Sequence, residues 1–276
     1  MSEIKPFSVL ISIYYKENPK WFREAMESVF AQTVLPTEIV LIKDGPLTPE
    51  LDSVLEEYIK KYPIFKIIQN EQNLGLGLSL RKGVEACSNE IIARMDTDDL
   101  MPIDRFEKQL VAIQSGYDVV SCWSQIFINN INNVIAIKRR PEKHGDIVRL
   151  AHKRSPVCHA ATMYRKNAVL KAGNYENCPL NEDYHLWVRM IMTGSIFYNI
   201  QEVLYYVRTY QDQIGRRGGF RYLKTELKTF KEFYHLKFYS LTDVISNSIF
   251  RICVRLLPGN LRTVIIRKIW KHQTVK

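Results

Sequence analysis

The sequence predicts an α/β fold built on a mostly parallel, Rossmann-like central sheet flanked by helices. Over the first hundred residues, apolar strand-like segments alternate with amphipathic helix-like segments, the order expected of a parallel sheet with crossover helices. These strands are apolar on both faces, as strands covered by helices on both sides must be. Polar clusters follow three of the strands where each one ends, which is the edge at which such sheets bind ligands.

The individual segments of this half follow from their residue patterns. Residues 7–15 (FSVLISIYY) and Glu38–Lys43 (EIVLIK) are β-branched apolar runs that predict buried strands. The second run ends at Asp44-Gly45-Pro46, a strong turn signal. The same reasoning predicts helices at 21–32, 49–62 and 78–86 and strands at Phe65–Gln69 and 90–95.

Beyond residue 100 the pattern is mixed, and the charge changes sharply near the C-terminus. Shorter strands are predicted at 118–128, 134–138, 160–164 and 203–208, with a helix at 183–192. Residues 216–276 contain 14 Lys/Arg and 3 Asp/Glu, a net charge of +11, whereas the remaining 215 residues carry a net charge of −1. A near-neutral body with a basic, helix-like tail predicts that the tail meets an anionic partner.

Composition excludes several classes of protein. With 46% hydrophobic and 25% charged residues, the 276-residue chain is ordinary for a globular protein. No stretch approaches the ~20 apolar residues that a membrane-spanning helix needs. The N-terminus lacks the pattern of a secretory signal, so we expect the protein to stay in the cytosol. Five scattered cysteines without a C-x-x-C pair exclude a disulfide framework or a zinc site.

The strongest local signal is Asp96-Thr97-Asp98-Asp99, three carboxylates in four residues at the end of a buried strand. Carboxylates this close repel one another unless a cation neutralises them. Their oxygens suit Mn²⁺ or Mg²⁺, which would bridge the protein and a diphosphate. The alternative is an acidic helix start with Pro102 in its first turn. The other polar clusters at strand ends favour the metal site.

A second signal is Glu182-Asp183, two acids that open an amphipathic helix with Leu186, Met190 and Ile191 on its inner face. One carboxylate would act as a general base, taking the proton of an attacking hydroxyl while a metal ion stabilises the departing diphosphate. The alternative is helix capping, because acids at a helix start are favoured by about 0.3–1 kcal/mol.

Five segments of the chain resemble, in order and spacing, the inverting family 2 glycosyltransferases. They are residues 7–16, 38–46, 73–83, 91–99 and 181–189. The resemblance covers about residues 5–215 and is most specific in the N-terminal half. It is nearest to bacterial enzymes that build capsule, exopolysaccharide or O-antigen repeat units on a polyprenyl-diphosphate lipid. It implies a GT-A fold and a single displacement that inverts the anomeric centre.

The resemblance also implies roles for individual residues. Asp96 and Asp98 would form the D-x-D motif, with Asp98 the direct metal ligand, Asp96 nearer the ribose and Asp99 an alternative ligand. Asp183 would be the catalytic base, with Glu182 as its neighbour. The positions that contact the nucleotide-sugar donor would be Ser12, Tyr14, Asp44 and Arg81.

Domain organisation follows from the same resemblance. Residues 1–215 would form one GT-A catalytic domain, with a nucleotide-binding half at 1–99 and an acceptor-binding half at 100–215. Residues 216–276 would form a basic helical extension. Within the catalytic domain, Lys43 departs from the family pattern, since it stands where relatives often carry an acid before Asp44. This departure leaves the nucleobase open, with uridine favoured.

The end of the catalytic domain departs from the family as well. Tyr210 stands where many relatives have a histidine that can approach the metal or the diphosphate. One hypothesis is that Arg208, Arg216 and Arg217 clamp the diphosphate by charge-assisted hydrogen bonds. The glycine-rich stretch 211–219 would suit a mobile lid.

The extension carries an aliphatic stripe beside basic residues. The stripe comprises Ile245, Ile249, Ile252, Cys253 and Leu256, and a second such segment runs from 261 to 270. A pair of basic amphipathic helices fits in-plane binding to an anionic membrane surface. The alternative is that these helices pack their apolar faces onto the catalytic domain. Nucleic acid is a poor candidate, because the stripe is aliphatic and no nucleic-acid-reading motif is present.

Together these patterns predict an inverting, Mn²⁺- or Mg²⁺-dependent hexosyl- or N-acetylhexosaminyltransferase. Its donor would be a nucleotide-diphosphate sugar, and its acceptor a saccharide on polyprenyl diphosphate at the inner face of the cytoplasmic membrane. Two alternatives remain open. A sugar-phosphate nucleotidyltransferase should carry a glycine-rich, basic phosphate loop after the first strand, and a non-catalytic sugar-nucleotide-binding or scaffold protein would keep the fold alone.

Overall fold

The structure, a computed structural model, describes residues 5–209 and 218–259, together with 261, 264 and 265. Its strands are β1 (Phe7–Ile13), β2 (Glu38–Lys43), β3 (Phe65–Gln69), β4 (Ile91–Arg94), β5 (Val119–Ile128), β6 (Asn130–Lys138), β7 (Met163–Arg165) and β8 (Phe197–Arg208). Its helices are α1 (Pro19–Phe30), α2 (Pro49–Lys61), α3 (Leu76–Ala86), α4 (Arg105–Gln114), α5 (His144–Ala151), α6 (Lys166–Lys171), α7 (Glu182–Met192), α8 (Phe220–His235) and α9 (Leu241–Arg255). A short 3₁₀ helix spans His159–Ala161.

All eight strands belong to one sheet. Its order is β3-β2-β1-β4-β7-β5-β6, and β8 pairs with β5. The β3-β2-β1-β4 half is entirely parallel, with crossover helices between successive strands. In the other half β7 runs antiparallel to β4 and β5, whereas β8 runs parallel to β5. The predicted α/β class is confirmed, and the segments with mixed sequence patterns form the mixed half of the sheet.

Strand β1 shows why the first half reads as continuous apolar runs. Val9 and Ile11 belong to the hydrophobic core on one face of the sheet, and Leu10 belongs to the core on the other. Because helices cover both faces, the apolar side chains of the strand are removed from water on either side of the sheet. The same holds for the apolar residues of β2, where Ile39 and Val40 lie in opposite cores.

Helix α4 is one of three helices that the sequence pattern missed, together with α5 and α6. Its inner face carries two buried polar residues, Arg105 and Gln109, which interrupt the apolar period. Arg105 Nε donates to Gln109 Oε1 (2.9 Å), and Gln109 Nε2 donates to the Ala161 carbonyl (2.7 Å). The inner face of the helix therefore combines apolar and polar side chains, which weakens its apolar period.

The two helices after residue 218 differ in how they contact the body of the fold, residues 5–209. Helix α8 buries Phe230 and Phe233 against Tyr184 and Val188 of α7. Helix α9 buries Asn247 and packs the half-buried Val244 against this cluster, whereas its Leu241, Ile245, Ile249 and Ile252 are exposed. The alternative that the two amphipathic segments of the extension pack their apolar faces onto the body is therefore wrong for these side chains of α9, and most of the second segment, 261–270, lies outside the described residues. Among the described residues, no helix combines the length and apolarity needed to cross a membrane.

Candidate active site

The carboxyl ends of β1, β2 and β4 lie side by side at one edge of the sheet. The parallel register places Ser12 opposite Ile42, and the Asp44 N–H donates to the Ile13 carbonyl (2.8 Å). Residues that follow these strands are therefore brought to a common edge. The predicted site residues that meet there are Ser12, Tyr14, Asp44, Asp96, Asp98 and Asp99.

Asp96, Asp98 and Asp99 form a compact acidic cluster just beyond β4. One carboxylate oxygen of each lies within 4.8 Å of the others. Burial, followed by the charges of Asp98 and Asp96, raises the pKa of the Asp99 carboxyl well above its usual value. Helix α4 begins only at Arg105, so the alternative that these acids start a helix is wrong. Oxygen ligands at this spacing fit a hard divalent cation.

Donors from β4 and β8 hold this cluster in place. Arg94 forms an ion pair with the Asp96 carboxylate, and the Asp96 N–H donates to the Tyr205 hydroxyl (3.1 Å). The backbone N–H of Arg208 donates to Asp99 Oδ1 (2.8 Å). Arg94 is a near neighbour of the cluster in sequence, but Tyr205 and Arg208 each contact it from 109 positions away, which no local pattern reveals.

The side chain of Arg208 has a different role from the predicted one. Its Nε donates to the Asp98 carbonyl (2.8 Å), its Nη2 lies 2.6 Å from Glu24 Oε2, and the side chain is only 4% exposed. The hypothesis that Arg208 clamps a diphosphate is therefore wrong, because its guanidinium is bound by the protein and fixes the acidic loop. The rest of that hypothesis lies outside the described residues, namely Tyr210, Arg216, Arg217 and most of the 211–219 stretch.

Glu182 and Asp183 form a second acidic group at the start of α7. Ser155 Oγ donates to Asp183 Oδ2 (3.0 Å). Burial raises the pKa of Asp183, while hydrogen bonds and the positive charge of Arg140 oppose that shift. Burial, followed by the charge of Asp183, raises the pKa of Glu182 to about 7. The environment of Glu182 thus favours proton exchange near neutral pH, and burial makes Asp183 more basic than an exposed aspartate.

Helix α3 brings the first half of the chain against this second group. A Cβ atom added to Gly77 would lie 3.0 Å from Glu182 Cβ and 3.1 Å from the Glu176 carbonyl oxygen. Only a glycine permits this approach without a shift. On the same helix, Arg81 Nη1 donates to the Tyr175 carbonyl (2.9 Å). Arg81 thus ties α3 to the segment before α7, and its contact with the donor stays a prediction.

Asp44 is buried and organises the loop that leads into α3. Its carboxylate accepts hydrogen bonds from the N–H groups of Leu74 (2.7 Å) and Gly75 (3.0 Å). Lys43 points elsewhere, with its Nζ 2.7 Å from Asp52 Oδ1. The contact of Asp44 with a nucleobase stays a prediction, and the structure adds a loop-stabilising role.

Glu17 and Arg94 are further site residues that the sequence reasoning missed, in addition to Ser155. Burial, followed by the charges of Asp98 and Asp96, raises the pKa of Glu17 to about 7. Arg94 is fully buried, and its Nε and Nη2 have no hydrogen-bond partner among the described residues. Its positive charge opposes the rise in the pKa of Glu17, beside the first acidic group, and of Glu182 in the second. Arg94 therefore acts on both acidic groups. Two sequence features could have identified these residues. Glu17 is an acid that follows β1, and Arg94 is a charged residue inside the apolar run of β4.

Comparison with known proteins agrees with this geometry. The profile of the family described as "Glycosyl transferase family 2" matches residues 8–172. The Escherichia coli UDP-Gal:alpha-D-GlcNAc-diphosphoundecaprenol beta-1,3-galactosyltransferase is 37% identical over 272 residues, which is 98% of each chain. The amylovoran biosynthesis glycosyltransferase AmsE of Erwinia amylovora is 34% identical over 95% of this chain and 98% of the relative.

Solved structures share the fold. A crystal structure of S. aureus TarS in complex with UDP-GlcNAc superposes with a TM-score of 0.64 at 18% identity. The match covers 82% of this chain and 66% of that TarS 1–349 chain, and at this identity it supports the GT-A fold alone. The chain is therefore a glycosyltransferase and belongs to glycosyltransferase family 2.

Proposed function

We propose that the protein is an inverting glycosyltransferase that moves a hexosyl or N-acetylhexosaminyl group from a nucleotide-diphosphate sugar to a saccharide acceptor. The observation that carries the proposal is the presence of two acidic groups with different environments, both under the influence of Arg94. The group at Asp96, Asp98 and Asp99 suits a cation, and the group at Glu182 and Asp183 suits a proton.

The names of the relatives support the substrate classes. The E. coli relative is named for UDP-Gal and a diphosphoundecaprenol-linked GlcNAc, and AmsE for amylovoran biosynthesis. The TarS structure contains UDP-GlcNAc. We infer a UDP-sugar donor, a polyprenyl-diphosphate-linked acceptor, and a place in bacterial surface polysaccharide biosynthesis.

Asp98, Asp96 and Asp99 would hold Mn²⁺ or Mg²⁺ in this proposal, because three close carboxylate oxygens match the ligand preference of both ions. The bound ion would neutralise charge on the departing diphosphate. Arg94 pairs with the Asp96 carboxylate and the Arg208 N–H donates to the Asp99 carboxylate, so both residues orient the cluster. Ser12 and Tyr14 at the end of β1, with Asp44 and Arg81, would orient the nucleotide part of the donor.

Asp183 would act as the general base. The acceptor hydroxyl oxygen forms a bond to the anomeric carbon while the bond from that carbon to the diphosphate oxygen breaks, and Asp183 takes the hydroxyl proton. The nucleoside diphosphate leaves with the bonding electrons, and one displacement inverts the anomeric centre. The raised pKa makes Asp183 a stronger base, and Ser155 orients its carboxylate. Glu182 would be its titratable neighbour.

The proposal includes the division into a nucleotide-binding half (1–99), an acceptor-binding half (100–215) and an extension (216–276). It also places the enzyme at the inner face of the cytoplasmic membrane, where a lipid-linked acceptor would be found. The net charge of +11 on the extension supports contact with anionic lipid headgroups. Membership of the glycosyltransferase family argues against a sugar-phosphate nucleotidyltransferase, and a non-catalytic scaffold is an outcome of the experiment below.

The experiment is a transfer assay with UDP-, GDP- and dTDP-sugars and a polyprenyl-diphosphate-linked saccharide, run with Mn²⁺ or with EDTA. We expect turnover of a UDP-sugar that EDTA abolishes and added Mn²⁺ restores. The Asp98→Ala variant should lose Mn²⁺-dependent donor binding in calorimetry, because the ion loses a ligand. Donor binding without turnover would support the scaffold, and binding that is unchanged by EDTA and by Asp98→Ala would refute the metal site.

A further inference from the structure

Helix α9 exposes an aliphatic face to solvent. Its residues lie at i, i+4, i+8, i+11 and i+15, so they share one side of the helix. Each is between 39% and 59% exposed. We call this the aliphatic stripe: Leu241, Ile245, Ile249, Ile252 and Leu256. Surface helices of globular proteins normally turn such a face inward, so its outward direction calls for a physical explanation.

Polar contacts on the opposite side of α9 fix this orientation. Asn247 Nδ2 donates to the His152 carbonyl (2.9 Å), and Asp243 Oδ2 lies 3.2 Å from His152 Nδ1. Arg255 Nη2 lies 2.7 Å from Glu226 Oε1 on α8. Rotating the helix to bury the stripe would break all of these contacts. The catalytic body is therefore not what covers the stripe.

The acidic side chains of the extension are paired within the fold, whereas several of its basic side chains are exposed. Its three acids have partners in the fold: Glu226 pairs with Arg251 and Arg255, Glu232 with His185, and Asp243 with His152. Four basic side chains of α8 are exposed at i, i+3, i+7 and i+10, namely Arg221, Lys224, Lys228 and Lys231. Lys228 also lies 3.7 Å from Glu232, so the exposed side of α8 contributes a net positive charge to the extension.

We propose that the aliphatic stripe inserts into an anionic lipid bilayer, with the polar side of α9 remaining bound to the catalytic body. An exposed apolar stripe next to basic side chains matches the interfacial region of such a bilayer. A second copy of the chain fits less well, because the same positive surfaces would face each other. This inference rests on the membrane location proposed above and assigns the side chains that make the contact.

The contacts of α9 also connect the aliphatic stripe with Asp183, the proposed general base. His152, which binds α9, is three residues from Ser155, whose hydroxyl is 3.0 Å from Asp183. Three residues of chain span at most about 11 Å. Tyr184, next to Asp183, also has its hydroxyl 2.6 Å from that of Tyr239, just before α9. The inserted helix therefore holds the base close to the surface from which a lipid-linked acceptor hydroxyl arrives.

The test uses the full chain and vesicles of phosphatidylcholine with phosphatidylglycerol in a flotation assay. The Ile245→Ser/Ile249→Ser double variant should bind at least about tenfold more weakly, because two inserted side chains lose their apolar burial. Val111→Ser is the matched control, since this α4 residue is 58% exposed and remote from the stripe. Its vesicle binding should equal that of the wild type. Unchanged melting temperatures for both variants show that folding is intact.

The outcomes separate this inference from the proposed function. If the wild type floats and the double variant floats equally well, the stripe assignment is wrong and the membrane location stands. If the wild type does not float, both fail. A wild-type dimer in sedimentation velocity that the double variant abolishes, with vesicle binding unaffected, would assign the stripe to a second copy and overturn the inference. Reduced floating of the double variant with a normal Val111→Ser control supports it.

Discussion

The two acidic groups of this site contain the same kind of side chain in different surroundings. Asp96 is paired with Arg94, and Asp98 and Asp99 lie beside it, so three carboxyl groups are held together beside arginine contacts. Asp183 has instead a hydroxyl donor, Ser155, and is buried. The first environment concentrates charge for a cation, whereas the second makes one carboxylate more basic.

The comparison shows that the surroundings of a carboxylate in the fold, rather than its residue type, determine its chemical role. Pairs of carboxylates whose environments push their pKa values apart are a general route to separate roles in catalysis. Arg94 is the physical link between the two groups, because its charge acts on Asp96 and on Glu182. Substituting one acid of each group, or Arg94 between them, therefore tests whether the two groups have different roles.

The largest effects are expected from substituting one acid of each group. Asp183→Asn should keep Mn²⁺-dependent donor binding and lower the transfer rate by roughly 10²–10⁴-fold, because only proton removal is lost. Asp98→Asn, in contrast, should lose both transfer and Mn²⁺-dependent donor binding. Calorimetry of donor binding beside single-turnover transfer separates the two results. If Asp183→Asn also abolished donor binding, the assignment of different roles would be wrong.

An intermediate effect is expected for Arg94→Met. We expect a roughly 10- to 100-fold slower transfer, since a residue that orients metal-binding carboxylates is removed. The melting temperature should not fall, because Arg94 leaves two buried guanidinium nitrogens without partners and its partner Asp96 is 38% exposed.

The control for Arg94→Met is Arg23→Met, which breaks an exposed ion pair with Glu57 and should change neither activity nor melting temperature. A marked loss of stability in Arg94→Met alone would mean that Arg94 is required for folding rather than for the site.

The smallest effect concerns pH. Asp183 must be ionised to accept a proton, and its pKa is raised in the fold, so activity should fall as the pH drops through that raised pKa. Ser155→Ala removes a hydrogen bond that favours the ionised form, and should move the acidic limb of the pH–rate profile upward by about one unit. Ser28→Ala, which removes a hydroxyl bonded within α1, should leave the limb in place. An acidic limb unmoved by Ser155→Ala would argue that another group is the base.

Sequence reasoning worked best where structure is local. Strands β2 and β3 were predicted with their observed ends, since a short apolar run and a turn signal specify both limits. The acids at 96, 98, 99, 182 and 183 were identified because each group is contiguous in sequence. Helix α4 was missed, because the buried polar pair Arg105 and Gln109 hides its amphipathic period.

The same reasoning misread residues whose partners are distant. Arg208 was taken for a ligand of the diphosphate, but it binds Glu24, 184 positions away, and supports the loop at Asp98. Ser155 lies 28 positions from Asp183 and belongs to no motif. A single sequence records which donors exist and does not record which acceptors they meet.

The sequence by itself determined the alternating α/β order, the two acidic groups and the aliphatic period of α9, because each depends on neighbouring residues. Only the tertiary structure decided that Arg94 acts on both acidic groups, since Ile92 of β4 and Leu186 of α7 belong to the same hydrophobic core. It also decided the direction of α9. An amphipathic pattern fixes the two faces of a helix, but the contacts of Asn247 and Asp243 with His152 determine which face meets the protein.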